Sequence, residues 1–236
     1  IASLLTRYHQ ARTSLDTLTN MMSLPVEREP GKKYLHRPTF NGDIEFKNIT
    51  FNYPEQPLKA LDNISFKIKA GERVAFIGRI GSGKSTIEKL MLGMYEPQEG
   101  SILIDGTDIR QIDPSDLRRQ IGYVPQDISL MFGSVKDNIT LGSRYADDTS
   151  ILHAAEIAGV TQFVNRHPEG FDMPVGERGS SLSGGQRQSV AVARSLLLSP
   201  PIFIMDEPSN SMDNSTEERF KQKLAAKLNN QTLILV

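Results

Sequence analysis

Apolar and polar positions follow two different periods along this chain. Residues 1–24 place Ile1, Leu4, Leu5, Tyr8, Ala11, Leu15, Leu18, Met21 and Met22 at helical spacing, with Arg7, Gln10, Arg12 and Asp16 between them. This predicts an amphipathic helix ended by Pro25, which either packs on its own domain or continues from something upstream. Residues 25–42 hold Pro25, Pro30, Gly31, Pro38, Gly42 and the basic pair Lys32-Lys33, and read as a linker. From Asp43 the period becomes two. Ile44, Phe46 and Ile49, then Phe51 and Tyr53 ahead of Pro54, predict one strand, and residues 61–68 predict a second. Residues 73–77 are apolar and bounded by turn residues, so they read as a buried strand, and 86–92 has helical spacing up to Gly93. Residues 101–104 form a short strand closed by the hairpin signal Asp105-Gly106. Asp113-Pro114 opens a helix, with aspartate as cap and proline at the first helical position. Residues 121–124 return to strand, followed by Pro125-Gln126.

Beyond residue 126 the pattern is mainly helical. Residues 148–158 and 160–165 predict two helices separated by Gly159, and 187–198 predicts a third, stopped by Ser199-Pro200-Pro201. The wholly apolar strand 202–205 runs into Asp206-Glu207, and 216–228 predicts a last amphipathic helix. The closing residues 232–236 resemble the middle of a buried strand, and the first residue is Ile rather than Met. The expectation is a fragment of a longer protein.

Composition adds exclusions. The 236 residues carry a net charge of −1, which gives no reason to expect a nucleic-acid partner. There is no cysteine, so disulfides and thiolate metal sites are excluded. No run of about 18 apolar residues marks a membrane span.

The chemistry concentrates in Gly78-Arg79-Ile80-Gly81-Ser82-Gly83-Lys84-Ser85, placed between a predicted strand and a predicted helix. That order is the context of a phosphate-binding loop: Gly78, Gly81, Ser82 and Gly83 let backbone N–H groups approach an anion, and the helix start adds partial positive charge. Lys84 would reach the outer phosphates, and the Ser85 hydroxyl would sit on Mg²⁺. Asp206 ends a strand, where ligands of open α/β sheets bind, and could hold the same cation; Glu207 beside it could orient an attacking water. Two solvated acids at a strand end are the plainer alternative. Leu182-Ser183-Gly184-Gly185-Gln186 sets a hydroxyl and two glycines at a helix start. It is either a second anion cradle or an ordinary capped helix.

The phosphate loop, Gln126 after a strand, the 182–186 segment and residues 202–207 stand in the order and spacing of ATP-binding cassette (ABC) nucleotide-binding domains. The chain resembles that family from about residue 43 to its end. The resemblance implies an α/β fold: a P-loop NTPase (RecA-like) core with an antiparallel β subdomain and an α-helical subdomain at about 127–190. It implies that Tyr53 stacks on adenine and that Gly81, Gly83, Lys84, Ser85 and Thr86 hold the phosphates. Gln126 would touch Mg²⁺ and couple to the membrane part. Ser183, Gly184, Gly185 and Gln186 would meet ATP held by a second, head-to-tail copy, and Glu207 would be the catalytic base.

Two departures stand out. Asn210-Ser211-Met212-Asp213 replaces the family's Ser-Ala-Leu-Asp, which leaves the contact across the dimer less defined. The family's histidine after the last strand has no counterpart among His9, His36, His153 and His167, which is attributed to truncation.

The loop Val175-Gly176-Glu177-Arg178-Gly179 resembles that of exporters, and residues 1–24 then look like the end of a transmembrane-domain helix or its cytoplasmic extension. Residues 40–53, the Arg79-Ile80 filling and residues 105–111 look most like bacterial type I secretion ATPases of the RTX toxin and adhesin class. The implied function is ATP hydrolysis that drives export, on the cytoplasmic face of the inner membrane. Implied partners are a second copy, a transmembrane domain of the same polypeptide, a periplasmic adaptor and an outer-membrane channel; ATP and Mg²⁺ are the implied cofactors. The competing expectation is a soluble ABC-type clamp acting on DNA or the ribosome. A regulatory nucleotide-binding module without catalysis is disfavoured by the intact Lys84, Asp206 and Glu207.

Overall fold

The computed structural model describes residues 2–24, 26–28, 31–143, 145–206 and 230–236. The chain divides into two units, residues 1–34 and 35–236. The first is built on one helix, α1 (Ala2–Met22). Its apolar residues Leu4, Leu5, Tyr8, Leu15 and Leu18 stand exposed. The hydroxyls of Thr13, Thr17 and Thr19 donate to carbonyls four residues back, which satisfies them within the helix. Among the described residues no helix is long and apolar enough to cross a membrane.

The strands of the second unit are, in chain order, β1 (Ile44–Phe51), β2 (Leu61–Ile68), β3 (Arg73–Ala75), β4 (Glu99–Ile104), β5 (Thr107–Asp108), β6 (Ile121–Val124), β7 (Ile202–Met205) and β8 (Thr232–Leu235). Its helices are α2 (Lys84–Met91), α3 (Pro114–Arg119), α4 (Val135–Ile139), α5 (Asp148–Ala158), α6 (Thr161–Val164) and α7 (Gly184–Leu196). The strands form an antiparallel sheet in the order β2-β1-β4-β5 and a parallel sheet in the order β3-β8-β7-β6. This is the P-loop α/β arrangement expected from the sequence, with an antiparallel sheet on one side and helices on the other. The sequence-predicted helix 216–228 lies outside the described residues.

The apolar residues of β1 fall at 44, 46, 49 and 51, so the period of two slips once. Both neighbouring strands show a register shift after Phe46–Lys47, and Asn48 takes a φ of 49°, which asparagine tolerates better than most residues. This bulge keeps Ile44, Phe46, Ile49 and Phe51 together in the core. The Asp105-Gly106 pair closes the hairpin between β4 and β5, with φ of 47° and 76°. The Asp105 carboxylate also accepts from the N–H groups of Asn41, Gly42 and Asp43 at 2.7–3.1 Å, and so fastens the segment that enters β1.

β7 explains why a strand can be apolar at every position. Ile202 and Ile204 join the core beneath the antiparallel sheet, with Phe46, Leu90 and Met91, whereas Phe203 and Met205 join a second core with Val190, Val192 and Ile151. A parallel sheet covered on both faces needs that pattern. The helices between β6 and β7 are latched by one polar contact set. Asn138 of α4, fully buried, accepts from Met131 N at 2.8 Å and donates to Met131 O at 2.9 Å. Arg194 of α7 donates Nε to Asn138 O at 2.7 Å and a terminal nitrogen to Asn138 Oδ1 at 2.8 Å. The segment that follows β6 is thereby tied to α7.

Candidate active site

The glycine-rich loop runs from the end of β3 into α2, as its sequence context requires. Strand pairing ends at Ala75, two residues earlier than the apolar run suggests, and helical structure begins at Lys84 rather than Thr86. The loop is therefore shifted two residues toward the strand at unchanged length, and the helix starts closer to the glycines. Gly83 caps α2 with φ 91°, and a Cβ there would stand 2.7 Å from both Ala60 O and Leu61 Cδ2. Only glycine fits, on two independent counts. Gly83→Ala is expected to lower stability by about 2–4 kcal/mol, read from urea unfolding, because strained φ and overpacking combine; a loss below about 1 kcal/mol would contradict this.

Lys84 Nζ donates to Gly78 O at 3.1 Å and to Arg79 O at 3.2 Å. The ammonium thus lies over its own loop, where an outer phosphate would replace the carbonyls as its partner. Gly81, Gly83, Lys84, Ser85 and Thr86 line a cleft of about 380 Å³ together with Tyr53, Gln56, Leu58, Lys59 and Ala60. Tyr53 is fixed in its lining. Its hydroxyl shares a hydrogen bond with Thr86 Oγ1 at 3.1 Å, and its ring meets Phe51 at 5.1 Å and Tyr95 at 5.2 Å, both edge-on. An aromatic and a lysine lining one cleft suit a nucleoside phosphate. Lys59, which sequence reading passed over, also lines the cleft and pairs with Asp62 at 2.8 Å.

Tyr53→Ala is expected to raise the Kd for ATP by about 5- to 150-fold, the worth of one base–aromatic stack, while Tyr53→Phe stays within about 2-fold. Displacement of a fluorescent ATP analogue measures both. An unchanged Kd for Tyr53→Ala would remove the aromatic from the site.

Asp206 closes β7 and is nearly buried. It lies beside Glu88 of α2, close enough for the two carboxyl groups to interact. Ser85 and Glu88 are three residues apart and so share a helix face, which brings the Ser85 hydroxyl to the same side as Asp206. Gln126 leaves β6 two residues after Val124, and Val124 pairs with Met205, so Gln126 and Asp206 emerge from the same sheet end. These donors are a hydroxyl, a carboxylate and an amide carbonyl. All are hard oxygens, and the set suits Mg²⁺ shared with a phosphate better than a softer metal. Among the described residues no cluster of three acidic, histidine or cysteine side chains offers an alternative metal centre. Glu207 and residues 210–213 lie outside the described residues.

Ser183 caps α7 reciprocally. Its Oγ accepts from Gln186 N at 3.3 Å, and Gln186 Oε1 accepts from Ser183 N at 2.9 Å. Arg187 donates to Leu182 O at 2.8 Å and holds the turn that precedes the cap. Ser183 itself is exposed at the tip. None of residues 183–186 lines the cleft around Lys84.

Besides Lys59, sequence reading missed Glu88. Its only signal was an acid at a position of α2 flanked by Ile87, Leu90 and Met91, all of them buried.

A family model described as ABC transporter matches residues 61–210. The alpha-hemolysin translocation ATP-binding protein HlyB of Escherichia coli O157:H7 is 40% identical over 236 residues, covering 100% of this chain and 33% of that protein. The leukotoxin translocation ATP-binding protein LktB of Mannheimia glucosida is 39% identical over 236 residues, with the same coverage of 100% and 33%. The chain thus spans about a third of the length of these curated relatives. Among solved structures, a bacterial Atm1-family ABC exporter with ATP bound superposes with a TM-score of 0.85 at 36% identity, over 97% of this chain and 41% of that one. A soluble clamp on DNA or the ribosome is not favoured by this company. Matched over residues 61–210 and carrying the glycine loop, the strand-end aspartate and the capped serine-glycine turn in order, the chain belongs to the ABC transporter family.

Proposed function

We propose that this chain is the ATP-hydrolysing domain of an exporter of the type I protein-secretion class. The observation that carries the proposal is the cleft lined by both Tyr53 and Lys84 together with the glycine loop. Its relatives are named for toxin translocation, which favours a protein as the transported substrate.

ATP would lie with its base against Tyr53 and its phosphates in the N–H cradle of Gly81, Gly83, Ser85 and Thr86. Lys84 would carry the charge of the outer phosphates. Mg²⁺, held by Ser85, Asp206 and Gln126, would balance phosphate charge when bound. Glu207, next along the chain from Asp206, would orient the water that attacks the terminal phosphate and accept its proton. The tip of α7 is the remaining anion-binding element. Because residues 183–186 do not line their own chain's cleft, they would serve that of a second copy arranged head to tail. Neither copy then surrounds the terminal phosphate alone, and ATP becomes part of the interface.

Hydrolysis adds charge repulsion between products and loosens that interface. The latch of Asn138 and Arg194 would pass the motion of α7 to the segment following Gln126, and from there to transmembrane helices of the same polypeptide. The working location is the cytoplasmic face of a bacterial inner membrane, with a periplasmic adaptor and an outer-membrane channel completing the export path. Phosphate release from ATP tests the proposal. Turnover that saturates with ATP and vanishes in EDTA supports it. A full-length protein that releases no phosphate with ATP and Mg²⁺ contradicts it.

A further inference from the structure

Glu88 sits in the second turn of α2 with 0% of its surface exposed. Acidic side chains occupy such positions rarely, because a lone buried carboxylate is costly. Here three elements converge on it. The Tyr123 hydroxyl, from β6, donates to Glu88 Oε2 at 3.4 Å. Asp206, at the end of β7, lies close enough beside it for the two carboxyl groups to interact. Ser85, one turn earlier on the same face of α2, is the hydroxyl assigned to the cation. The other Glu88 oxygen, Oε1, is buried with no hydrogen-bond partner among the described residues. The same burial, with the two acids beside it, raises the Tyr123 phenol, which keeps it a donor.

We propose that Glu88 is a positioning residue for the magnesium site: braced by Tyr123, its buried carboxyl group holds the Asp206 side chain in the orientation that receives the cation of Mg·ATP. The inference rests on Asp206 being a metal ligand. A carboxylate at a strand end has two free side-chain torsions, and a polar partner behind it removes most of that freedom. Partners of this kind, one shell out from a ligating group, typically change metal affinity by about 10- to 100-fold when removed. One helix then supplies both a direct oxygen, from Ser85, and the brace for the opposing one. An acid that only filled space would have no such reach: replacing it by an apolar residue of similar size would leave metal binding untouched.

The test uses Mn²⁺ as a paramagnetic probe, titrated into ATP-saturated protein and followed by electron paramagnetic resonance. Binding of ATP in EDTA and thermal unfolding are measured alongside. Glu88→Leu is expected to bind metal-free ATP like the parent and to weaken Mn²⁺ by about 10- to 100-fold. Glu88→Gln, which keeps a hydrogen-bonding head of the same shape, recovers most of that loss. If Glu88→Leu fails to fold, Tyr123→Phe removes the brace from its other side, with an expected loss of about 2- to 10-fold, the worth of one hydrogen bond. An unchanged Mn²⁺ affinity in a folded Glu88→Leu, or in Tyr123→Phe where the leucine variant does not fold, overturns the inference. Asp206→Asn separates the two levels. Where it weakens Mn²⁺ and Glu88→Leu does not, the positioning role alone fails; where it too has no effect, the metal assignment of Asp206 fails with it.

Discussion

Lys84→Ala is expected to abolish useful ATP binding, with the Kd raised by about 10²- to 10³-fold, or about 3–4 kcal/mol. The size follows from what the ammonium does before and after a nucleotide arrives. In the structure it donates to the carbonyls of Gly78 and Arg79, so it holds the shape of the loop that must later cradle phosphate. With phosphate in place it becomes a charge-assisted donor inside a partly closed cleft, where such bonds are about twice as strong as neutral ones. The alanine variant loses both roles and leaves the phosphate charge to backbone N–H groups alone. Lys84→Arg is not expected to rescue it, because a planar fork cannot enter a space shaped by glycines around a point charge. Calorimetric titration with a non-hydrolysable ATP analogue measures the effect, and unfolding by urea checks that the variant is folded. A Kd equal to the parent's would remove Lys84 from the site.

Glu207→Gln is expected to show the opposite pattern: ATP binding kept, turnover reduced by about 10²- to 10⁴-fold, and an ATP-bound dimer that accumulates. The amide preserves size and can still orient a water, but it cannot take its proton. Asp206, one residue earlier and fixed by Glu88, is left to bind the cation as before. In the proposed cycle hydrolysis loosens the interface, so blocking it should make the dimer long-lived. Phosphate release and light scattering, measured on the same sample, read the two effects. Hydrolysis at the parent rate would take the catalytic base away from Glu207.

The parts of the fold that could be read from residues alone share a property: their local pattern and their burial coincide. The apolar run of β7 is an example, since a strand covered on both faces has no polar side to hide. The glycine loop is another, because its conformation demands particular residues at fixed places. Gly83 could be nothing else with Ala60 and Leu61 pressed against it. The slip in β1 was visible as an interrupted period, but the bulge that causes it shows only in the pairing of both neighbours.

Other features depend on residues distant in sequence, and these were hidden. Helix α4 is short, and its support comes from Arg194, 56 residues away, so its own five residues carry little signal. Glu88 stands in a stretch read only for its helical spacing, with no face assigned to it, and only β6 and β7 reveal that it is inside. Lys59 joins the cleft for a similar reason, since β2 begins just behind the loop and carries it there. The functional assignments of Ser183–Gln186 have the least local support of all. Their geometry here is that of a well-capped helix, and their proposed role exists only when a second copy is present.

That dependence gives the most direct test. Two variants of the chain, Lys84→Ala and Ser183→Arg, are each expected to hydrolyse ATP at a small fraction of the parent rate. In the proposed head-to-tail arrangement each composite site draws its cradle from one copy and its helix tip from the other. A pair formed from one copy of each variant therefore has one site with both parts damaged and one with both intact. Phosphate release from an equimolar mixture should recover to about a quarter of the parent rate, as random pairing of the two variants requires. A mixture no faster than its separate components, or a Ser183→Arg variant fully active alone, would contradict a nucleotide shared between two copies.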